Sequence, residues 1–255
     1  MPRIIGPGDL PLALDDRPAR VRIGLLVLET DHTTERDFRR LIADPEVASY
    51  VNRVSYRNPL NVENLRAMQP HLREAAAAIL PGEPLDALAF SCTSASAHIG
   101  DEAVCATIAE GKPDVPVVTP TSAAGAAFRA VGAGRVAVLA PYERAVSEGL
   151  AAYFGDSLGV EVTTLQYLGY GDDREIARLS TESVVEAGTH LLADDAGAEA
   201  LFISCTATRA AETVERLEAL TGRPVVTSNQ AMIWRALRVA GESGPIRGIG
   251  RLGRL

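Results

Sequence analysis

The sequence predicts an α/β fold of two similar halves, each a parallel sheet flanked by helices. Apolar runs of strand length alternate with longer helical segments through most of the 255 residues, as in parallel sheets covered on both faces. Two runs, residues 85–93 and 198–206, each end in Ser-Cys-Thr, and their cysteines lie 113 residues apart. The same offset carries residues 22–27 onto 135–140, which indicates a duplicated half. We expect a pseudo-twofold axis to relate the halves, with the functional site between them.

The first half is predicted over residues 21–134, preceded by an N-terminal arm over residues 1–20. In the arm, Gly6, Pro7, Gly8 and Pro11 block regular structure. The half is expected to have strands at 22–28, 51–57, 87–91 and 115–119, with helices at 35–43, 61–80, 96–110 and 122–131. Asn61 is a suitable N-cap for the second helix, and Pro70 predicts a kink within it.

The second half is predicted over residues 135–240. Its strands are expected at 135–140, 160–167, 200–204 and 224–227, a loop at 168–173, and helices at 143–154, 174–192, 209–220 and 230–240. The Gly- and Arg-rich C-terminal tail, residues 241–255, is either a loose segment or a brace against the second half.

Composition excludes several classes of function. A net charge of −8 argues against a nucleic-acid partner, since phosphate binding needs a basic surface. The longest apolar runs are too short to cross a bilayer. The first 20 residues also lack the basic start and apolar middle of a signal peptide. We therefore expect a cytoplasmic protein with no membrane partner, and its three cysteines to be free thiols.

Cys92 and Cys205 are the candidate catalytic residues. In open α/β sheets, ligands bind beyond the carboxyl ends of the strands, and each cysteine directly follows an apolar run. If the halves pack about a pseudo-twofold axis, the two thiols face each other across a cleft. The alternative is that each cysteine is simply a small buried hydrophobe. Two cysteines at matched positions of a repeat favour a functional role, whereas Cys105 has no counterpart and is expected in the core.

Two opposed thiols suggest a particular chemistry. A thiol has a pKa near 8.5, and a helix N-terminus is expected to lower this pKa by favouring the thiolate. A thiolate can take a proton from a carbon next to a carboxylate, or add to an activated double bond. A thiol on the opposite face can then return a proton, so the pair predicts a racemase or an isomerase.

Hydroxyl and amide side chains cluster after the same strands. As a set they could bind one or two small carboxylates, although each one alone could be only a helix N-cap. They are Thr93, Ser94, Thr119, Thr121, Ser122, Thr206, Thr208, Thr227, Ser228 and Asn229.

The doubled Ser-Cys-Thr motif, the strand that ends Ala140-Pro141-Tyr142, and Gly24-Leu25-Leu26 followed by residues 31–35 resemble the aspartate/glutamate racemase superfamily. The branch is similar to maleate cis-trans isomerase and arylmalonate decarboxylase. The stretch Thr30-Asp31-His32-Thr33-Thr34 is most like the ectoine-utilisation members. The resemblance covers residues 21 to 240.

This resemblance implies roles for individual residues. Cys92 would be the nucleophile or base on one face and Cys205 the proton donor or acceptor on the other, while Tyr142 would bind a substrate carboxylate. The maleate isomerases have Asn-Thr-Thr where this chain has His32-Thr33-Thr34, and a second Asn where it has Asp172-Asp173. Both differences argue against maleate itself. The decarboxylase has only the second cysteine, so Cys92 disfavours that reaction.

The predicted site therefore consists of Cys92 and Cys205, with His32, Thr93, Ser94, Thr119, Tyr142, Thr206 and Thr227 as substrate-binding residues. We expect no metal, because no Cys or His residues have zinc spacing, and no cofactor. The single lysine, Lys112, lies in a loop, and the Gly-rich segment 248–253 has no helix after it to bind a dinucleotide. The expected partners are a small carboxylate substrate and other copies of the chain, in a homodimer or higher homo-oligomer.

Two alternatives to the isomerase remain open. One is an arylmalonate-type decarboxylase that uses Cys205 alone. The other is a non-catalytic protein that binds a small acid, in which neither thiol would need a low pKa.

Overall fold

The computed structural model describes residues 2–6, 8 and 11–255. The elements of the first half are β1 Val21–Leu28, α1 Thr34–Leu41, β2 Val47–Val54, α2 Val62–Ala67, α3 Gln69–Ala77, β3 Ala87–Ser91, α4 Thr93–Ile99, α5 Asp101–Gly111, β4 Val117–Val118 and α6 Pro120–Val131. Those of the second half are β5 Arg135–Tyr142, α7 Arg144–Leu158, β6 Glu161–Tyr170, α8 Asp173–Ile176, α9 Thr181–Asp194, β7 Ala200–Ile203, α10 Val214–Thr221, β8 Val225–Thr227 and α11 Ser228–Val239, with 3₁₀ turns at Arg209–Glu212 and Gly250–Arg254.

The strands form two parallel sheets with the same internal order. The first sheet is ordered β2-β1-β3-β4 and the second β6-β5-β7-β8. Helices flank both sheets, so the predicted α/β fold class is confirmed. All eight residues of β1 are buried, as expected for a central strand covered on both faces. The matching order is what a duplicated half predicts.

Several predicted helices are interrupted in the structure. Asn61 caps the second predicted helix by accepting a hydrogen bond from the Asn64 backbone, but that helix breaks at Met68 into α2 and α3. Pro70 lies in the first turn of α3, where proline is tolerated. The predicted helix 96–110 begins instead at residue 93 and breaks at Gly100, whose φ of +97° favours glycine.

Other predicted bounds also shift. The predicted helix 174–192 is two helices, α8 and α9, and the predicted helix 209–220 starts as a 3₁₀ turn. The second strand lies at Val47–Val54 instead of 51–57, because β2 is a partly exposed edge strand with weak apolar patterning. Strand β6 continues to Tyr170, through the first half of the predicted loop.

The larger of two apolar clusters contains side chains from both sheets, and the smaller one contains only side chains of the second half. Phe128 of α6 makes edge-to-face contacts with Phe154 and Phe202 of the second half, with ring centroids 5.7 and 5.8 Å apart. Helix α11 packs against α6 and β3. Because this core contains side chains from both halves, the division at residues 134 and 135 into separate domains stays a prediction.

The C-terminal tail acts as a brace. Ile246, Ile249 and Leu252 are buried against the body, and the Ile249 carbonyl accepts a hydrogen bond from Gln230 of α11 at 2.8 Å. At the other end, four residues of the predicted arm, Met1, Pro7, Asp9 and Leu10, lie outside the described residues. Arg17 anchors the arm through an ion pair with Asp86 at 2.7 Å. No helix among the residues described here is long and apolar enough to span a bilayer.

Candidate active site

A small buried cavity lies at the carboxyl ends of the central strands β1, β3, β5 and β7. Its volume is about 10 Å³, counted as the space open to the centre of a water molecule, which is room for about one water. The first half contributes Leu28, Asp31, Tyr56, Leu60, Leu65, Cys92, Thr93 and Ser94, and the second contributes Tyr142, Asp173, Cys205, Thr206 and Ala207. Both cysteines of the repeat therefore line one cavity between the halves.

Cys92 sits where β3 ends and α4 begins. It is the N-cap residue of α4 in an extended conformation, and its carbonyl accepts hydrogen bonds from the Ser96 amide and hydroxyl, at 3.0 and 2.7 Å. Its sulfur lies 3.6 Å from the Ser94 hydroxyl oxygen. The strand-to-helix turn thus fixes the thiol in the cavity wall.

Cys205 follows β7 in a strained conformation. Its φ is +82°, in a region that non-glycine residues rarely adopt. Hydrogen bonds of the two neighbouring residues keep Cys205 in this conformation. The Ser204 amide donates to the Leu139 carbonyl at 2.9 Å, and the Thr206 hydroxyl donates to the Ser91 carbonyl at 3.1 Å. Such strain is often found at functional sites, where it aims a side chain.

Burial makes both thiols weak acids in this state. Removal from water raises the pKa of Cys92 to about 11 and that of Cys205 to about 12, because it penalises the thiolate. Backbone amides of Ala95 and Ala207 oppose this effect, and the negative charge of Asp173 adds to it. The expectation that a helix N-terminus lowers the thiol pKa is therefore wrong for the closed cavity, because desolvation outweighs the amide contacts.

Four other predicted site residues also line the cavity. They are Thr93, Ser94, Tyr142 and Thr206. Tyr142, fully buried at the end of β5, has its hydroxyl 3.1 Å from the Ser204 hydroxyl, and burial raises its pKa. Thr93 donates to the Ser228 hydroxyl at 2.7 Å, which ties the first half to α11.

The three remaining predicted residues lie elsewhere. His32 is exposed in a surface groove beside Arg174 and Arg178. Thr119 and Thr227 cap α6 and α11 through capping boxes, in which each threonine side chain accepts from a backbone amide in the first turn. Thr119 follows β4 and Thr227 ends β8, which are edge strands of their sheets, whereas the cavity lies over the central strands.

Three polar residues line the cavity that the sequence analysis does not include in the predicted site: Asp31, Tyr56 and Asp173. Asp31 caps α1, since its Oδ1 accepts from the amides of Thr33 and Thr34, each at 2.9 Å, and burial raises its pKa. The Asp172-Asp173 pair was noted only as a difference from the maleate isomerases. Tyr56 was placed inside a predicted strand, and no sequence signal marked it.

Loops from the two halves close over the cavity. The amide group of Asn58 donates to Asp173 at 3.0 Å and to Asp172 at 3.2 Å, while the Leu60 amide donates to the Gly171 carbonyl at 2.7 Å. A larger surface pocket of about 710 Å³ lies on the outer side, and Tyr56 lines both spaces. A ligand must therefore displace these loops to reach the thiols.

A buried polar chain supports the Cys205 turn. The Asn229 side chain donates to the Thr206 carbonyl at 2.8 Å and to Asp37 Oδ2 at 2.9 Å. Asp37, on α1, is fully buried, and loss of solvation raises its pKa to about 6. The first half thus holds the second-half cysteine turn through a titratable group.

The side chains that could bind a metal do not cluster in the part of the chain that the structure describes. Within the ranges 2–6, 8 and 11–255, no three His, Cys, Asp or Glu side chains lie close enough together to hold an ion.

Comparison with known proteins places the chain in a family. The family profile described as Amdase, arylmalonate decarboxylase, matches residues 70–253. Maleate isomerase from Nocardia farcinica is 27% identical over 241 residues, which cover 91% of this chain and 94% of that protein. Arylmalonate decarboxylase from Bordetella bronchiseptica is 30% identical over 139 residues, or 54% of this chain and 58% of that protein, less than two thirds of its length.

Solved structures agree in fold. The Nocardia farcinica maleate cis-trans isomerase with a covalently bound succinylcysteine intermediate superimposes with a TM-score of 0.81 at 25% identity, covering 92% of this chain and 98% of that one. A liganded mutant of arylmalonate decarboxylase gives a TM-score of 0.82 at 24% identity, covering 91% and 98%. The chain therefore belongs to the arylmalonate decarboxylase and maleate isomerase family of the aspartate/glutamate racemase-like superfamily.

Proposed function

We propose that this protein is a cofactor-independent isomerase, either a racemase or a cis-trans isomerase, that acts on a small carboxylate or amino-acid derivative. The observation that carries this proposal is the presence of both cysteines of the repeat in one buried cavity, each supplied by a different half. Two acid–base groups from opposite halves can act on opposite faces of one carbon.

In the racemase form, one cysteine as thiolate takes the proton from the carbon next to the substrate carboxylate. The electron pair of that C–H bond moves into the carboxylate, and the opposite thiol delivers its proton to the other face. In the isomerase form, the thiolate adds to a double bond, the resulting single bond rotates, and elimination restores the thiolate. The Tyr142 and Ser94 hydroxyls would donate hydrogen bonds to the carboxylate.

Because both thiols are neutral in the closed cavity, one of them must lose its proton when the cavity opens or the substrate binds. Closure then excludes water and strengthens the contacts to the substrate. The resemblance of residues 30–34 to the ectoine-utilisation members supports including acids derived from ectoine among the candidate substrates.

A decarboxylase is the second candidate, favoured by the family profile that the chain matches. In that reaction, Cys205 alone would protonate the carbanion left by CO₂, and Cys92 would be dispensable. A binding protein without turnover is the third.

The deciding experiment is proton NMR in deuterated buffer against maleate, aspartate, glutamate, alkyl- and aryl-malonates and ectoine-derived acids. Isomerase activity predicts loss of an α-proton signal or appearance of a trans-alkene. It also predicts that Cys92→Ala and Cys205→Ala each abolish this turnover. Cys105→Ala is the matched control, because Cys105 is half-buried on α5 and does not line the cavity. A fully active Cys92→Ala variant that releases CO₂ would instead indicate the decarboxylase.

Slow alkylation of the resting thiols does not identify a binding protein, because burial slows it in an enzyme as well. At pH 7.5 we expect iodoacetamide to label Cys105 before Cys92 and Cys205. Acceleration of Cys92 or Cys205 labelling by a candidate substrate would support a thiol that ionises on binding. Peptide mass spectrometry would identify the labelled residue.

A further inference from the structure

The cavity has an unusual charge balance. Two carboxylates, Asp31 and Asp173, line it, whereas no Lys, Arg or His of the described chain does. The Asp31 carboxylate is already engaged, since it accepts two backbone amides and the Thr34 hydroxyl at the start of α1. The unexplained charge in the cavity is therefore that of Asp173.

Asp173 is buried, and among the residues that the structure describes it has no ion-pair partner. It is 3% exposed and accepts hydrogen bonds from the Asn58 amide group and the Thr30 hydroxyl, both of which are neutral. The neighbouring cation, Arg174, turns outward, where it pairs with Asp172 at 2.5 Å and leaves 59% of its side chain exposed. A buried carboxylate is costly unless it is paired, and its two oxygens can accept about four hydrogen bonds. Asp173 can therefore accept further hydrogen bonds, and a cationic donor would offset the cost of burying its charge.

Two further groups point to a polar ligand at this place. The Tyr56 hydroxyl, in a side chain only 6% exposed, has no hydrogen-bond partner among the residues that the structure describes. It lines the same cavity as Asp173. The Thr206 hydroxyl gives its proton to the Ser91 carbonyl, so towards the cavity it can only accept. The Asp173 carboxylate, the Thr206 hydroxyl and the unpaired Tyr56 hydroxyl can all accept a hydrogen bond from an N–H group of a ligand.

We propose that the substrate is a small amino acid whose free ammonium group forms an ion pair with Asp173, and not a dicarboxylate that lacks an ammonium group. This inference rests on the proposed function and narrows its substrate class. The carboxylate of the amino acid would accept hydrogen bonds from the hydroxyls of Ser94 and Tyr142. A second carboxylate at the ammonium position would be repelled by Asp173 in a cavity from which water is excluded.

The same contact would help ionise a thiol. The negative charge of Asp173 contributes to the raised pKa of both Cys92 and Cys205. An ammonium group beside Asp173 offsets that charge, and its own positive charge favours a thiolate. The substrate would thereby activate the base that acts on it, while the empty cavity keeps both thiols neutral.

The test compares ligands that share a skeleton and differ at one group: alanine with N-acetylalanine and lactate, and aspartate with N-acetylaspartate, malate and maleate. Proton NMR in deuterated buffer measures turnover, and the shift in melting temperature measures binding. We expect a free amino acid to exchange its α-proton, and its N-acetyl and hydroxy counterparts to be turned over roughly 10- to 100-fold less well. Equal or better turnover or binding of maleate or an N-acetyl acid would overturn the proposal, as would failure of every amino acid to bind or react.

Asp173→Asn provides the residue-level test, with Asp156→Asn, at an exposed position on α7, as its matched control. We expect kcat/KM for the amino acid to fall roughly 10- to 100-fold in Asp173→Asn and to stay near the wild-type value in Asp156→Asn. The ligand comparison on the wild-type chain decides the question if Asp173→Asn fails to fold. Cysteine-dependent turnover of dicarboxylates that lack an ammonium group, unaffected by Asp173→Asn, would refute this inference. The proposed function would still stand. Turnover that survives both cysteine substitutions would refute the proposed function.

Discussion

Asp37 should make the stability of this protein depend on pH. Its carboxyl is fully buried on α1, and burial raises its pKa from 3.8 to about 6. The folded state therefore holds this proton more tightly than the unfolded chain. The stabilisation is fully present below pH 3.8 and is lost as the pH rises through about 6. At 1.36 kcal/mol per pKa unit, the loss is about 3 kcal/mol in total, most of it between pH 4 and 7.

The substitution Asp37→Asn removes this titration and keeps an oxygen to accept the Asn229 hydrogen bond. As the pH rises from 4 to 7, the free energy of unfolding of wild type, measured by urea denaturation, should fall by about 2 to 3 kcal/mol relative to that of the variant. Asp156→Asn, at an exposed position on α7, controls for the general loss of negative charge. A difference between Asp37→Asn and wild type that stays constant with pH would refute this reasoning.

Two further substitutions test packing and the site. Gly149→Ala should lower the melting temperature, because its Cβ would lie 2.2 Å from the His98 ring. Gly155→Ala on the same helix has nothing within 4 Å and should be neutral or stabilise by up to about 1 kcal/mol. Equal melting temperatures for the two variants would contradict this account. Tyr142→Phe should reduce kcat/KM roughly 10- to 100-fold on whichever substrate is found, with a much smaller loss in Tyr167→Phe, at a half-exposed tyrosine on β6. Unchanged kcat/KM in Tyr142→Phe would show that the Tyr142 hydroxyl contributes neither to substrate binding nor to turnover.

The sequence predicted the fold and the residues that end central strands. Cys92 and Cys205 come just after buried apolar runs and Tyr142 ends one, so the apolar pattern places all three at the carboxyl edge, while the binding role of Tyr142 comes from the family resemblance. Thr119 and Thr227 lie at strand ends as well, but β4 and β8 are the outer strands, and their ends lie away from the cavity. Strand order is a long-range property that local patterns do not contain.

The residues that sequence reasoning missed come from loops. Tyr56 and Asp173 follow the edge strands β2 and β6, and they reach the cavity only because their loops fold back and bind each other through Asn58. The expectation that the helix N-terminus lowers the thiol pKa was wrong for a related reason. A helix start can be read from the sequence, whereas the closure that removes water from Cys92 depends on both halves together.

The matched strand order of the two sheets bears on how this cavity could have arisen. A single half could build such a cavity only by pairing with a second copy of itself, and the two thiols would then be equivalent by symmetry. In this chain they are not, because Cys92 begins a helix beside Ser94, whereas Cys205 sits on left-handed backbone near Tyr142. Joining two copies in one polypeptide allows each face to acquire its own neighbours by mutation. An enzyme with such a history can specialise one thiol as the base and the other as the acid, whereas two thiols related by symmetry have identical surroundings.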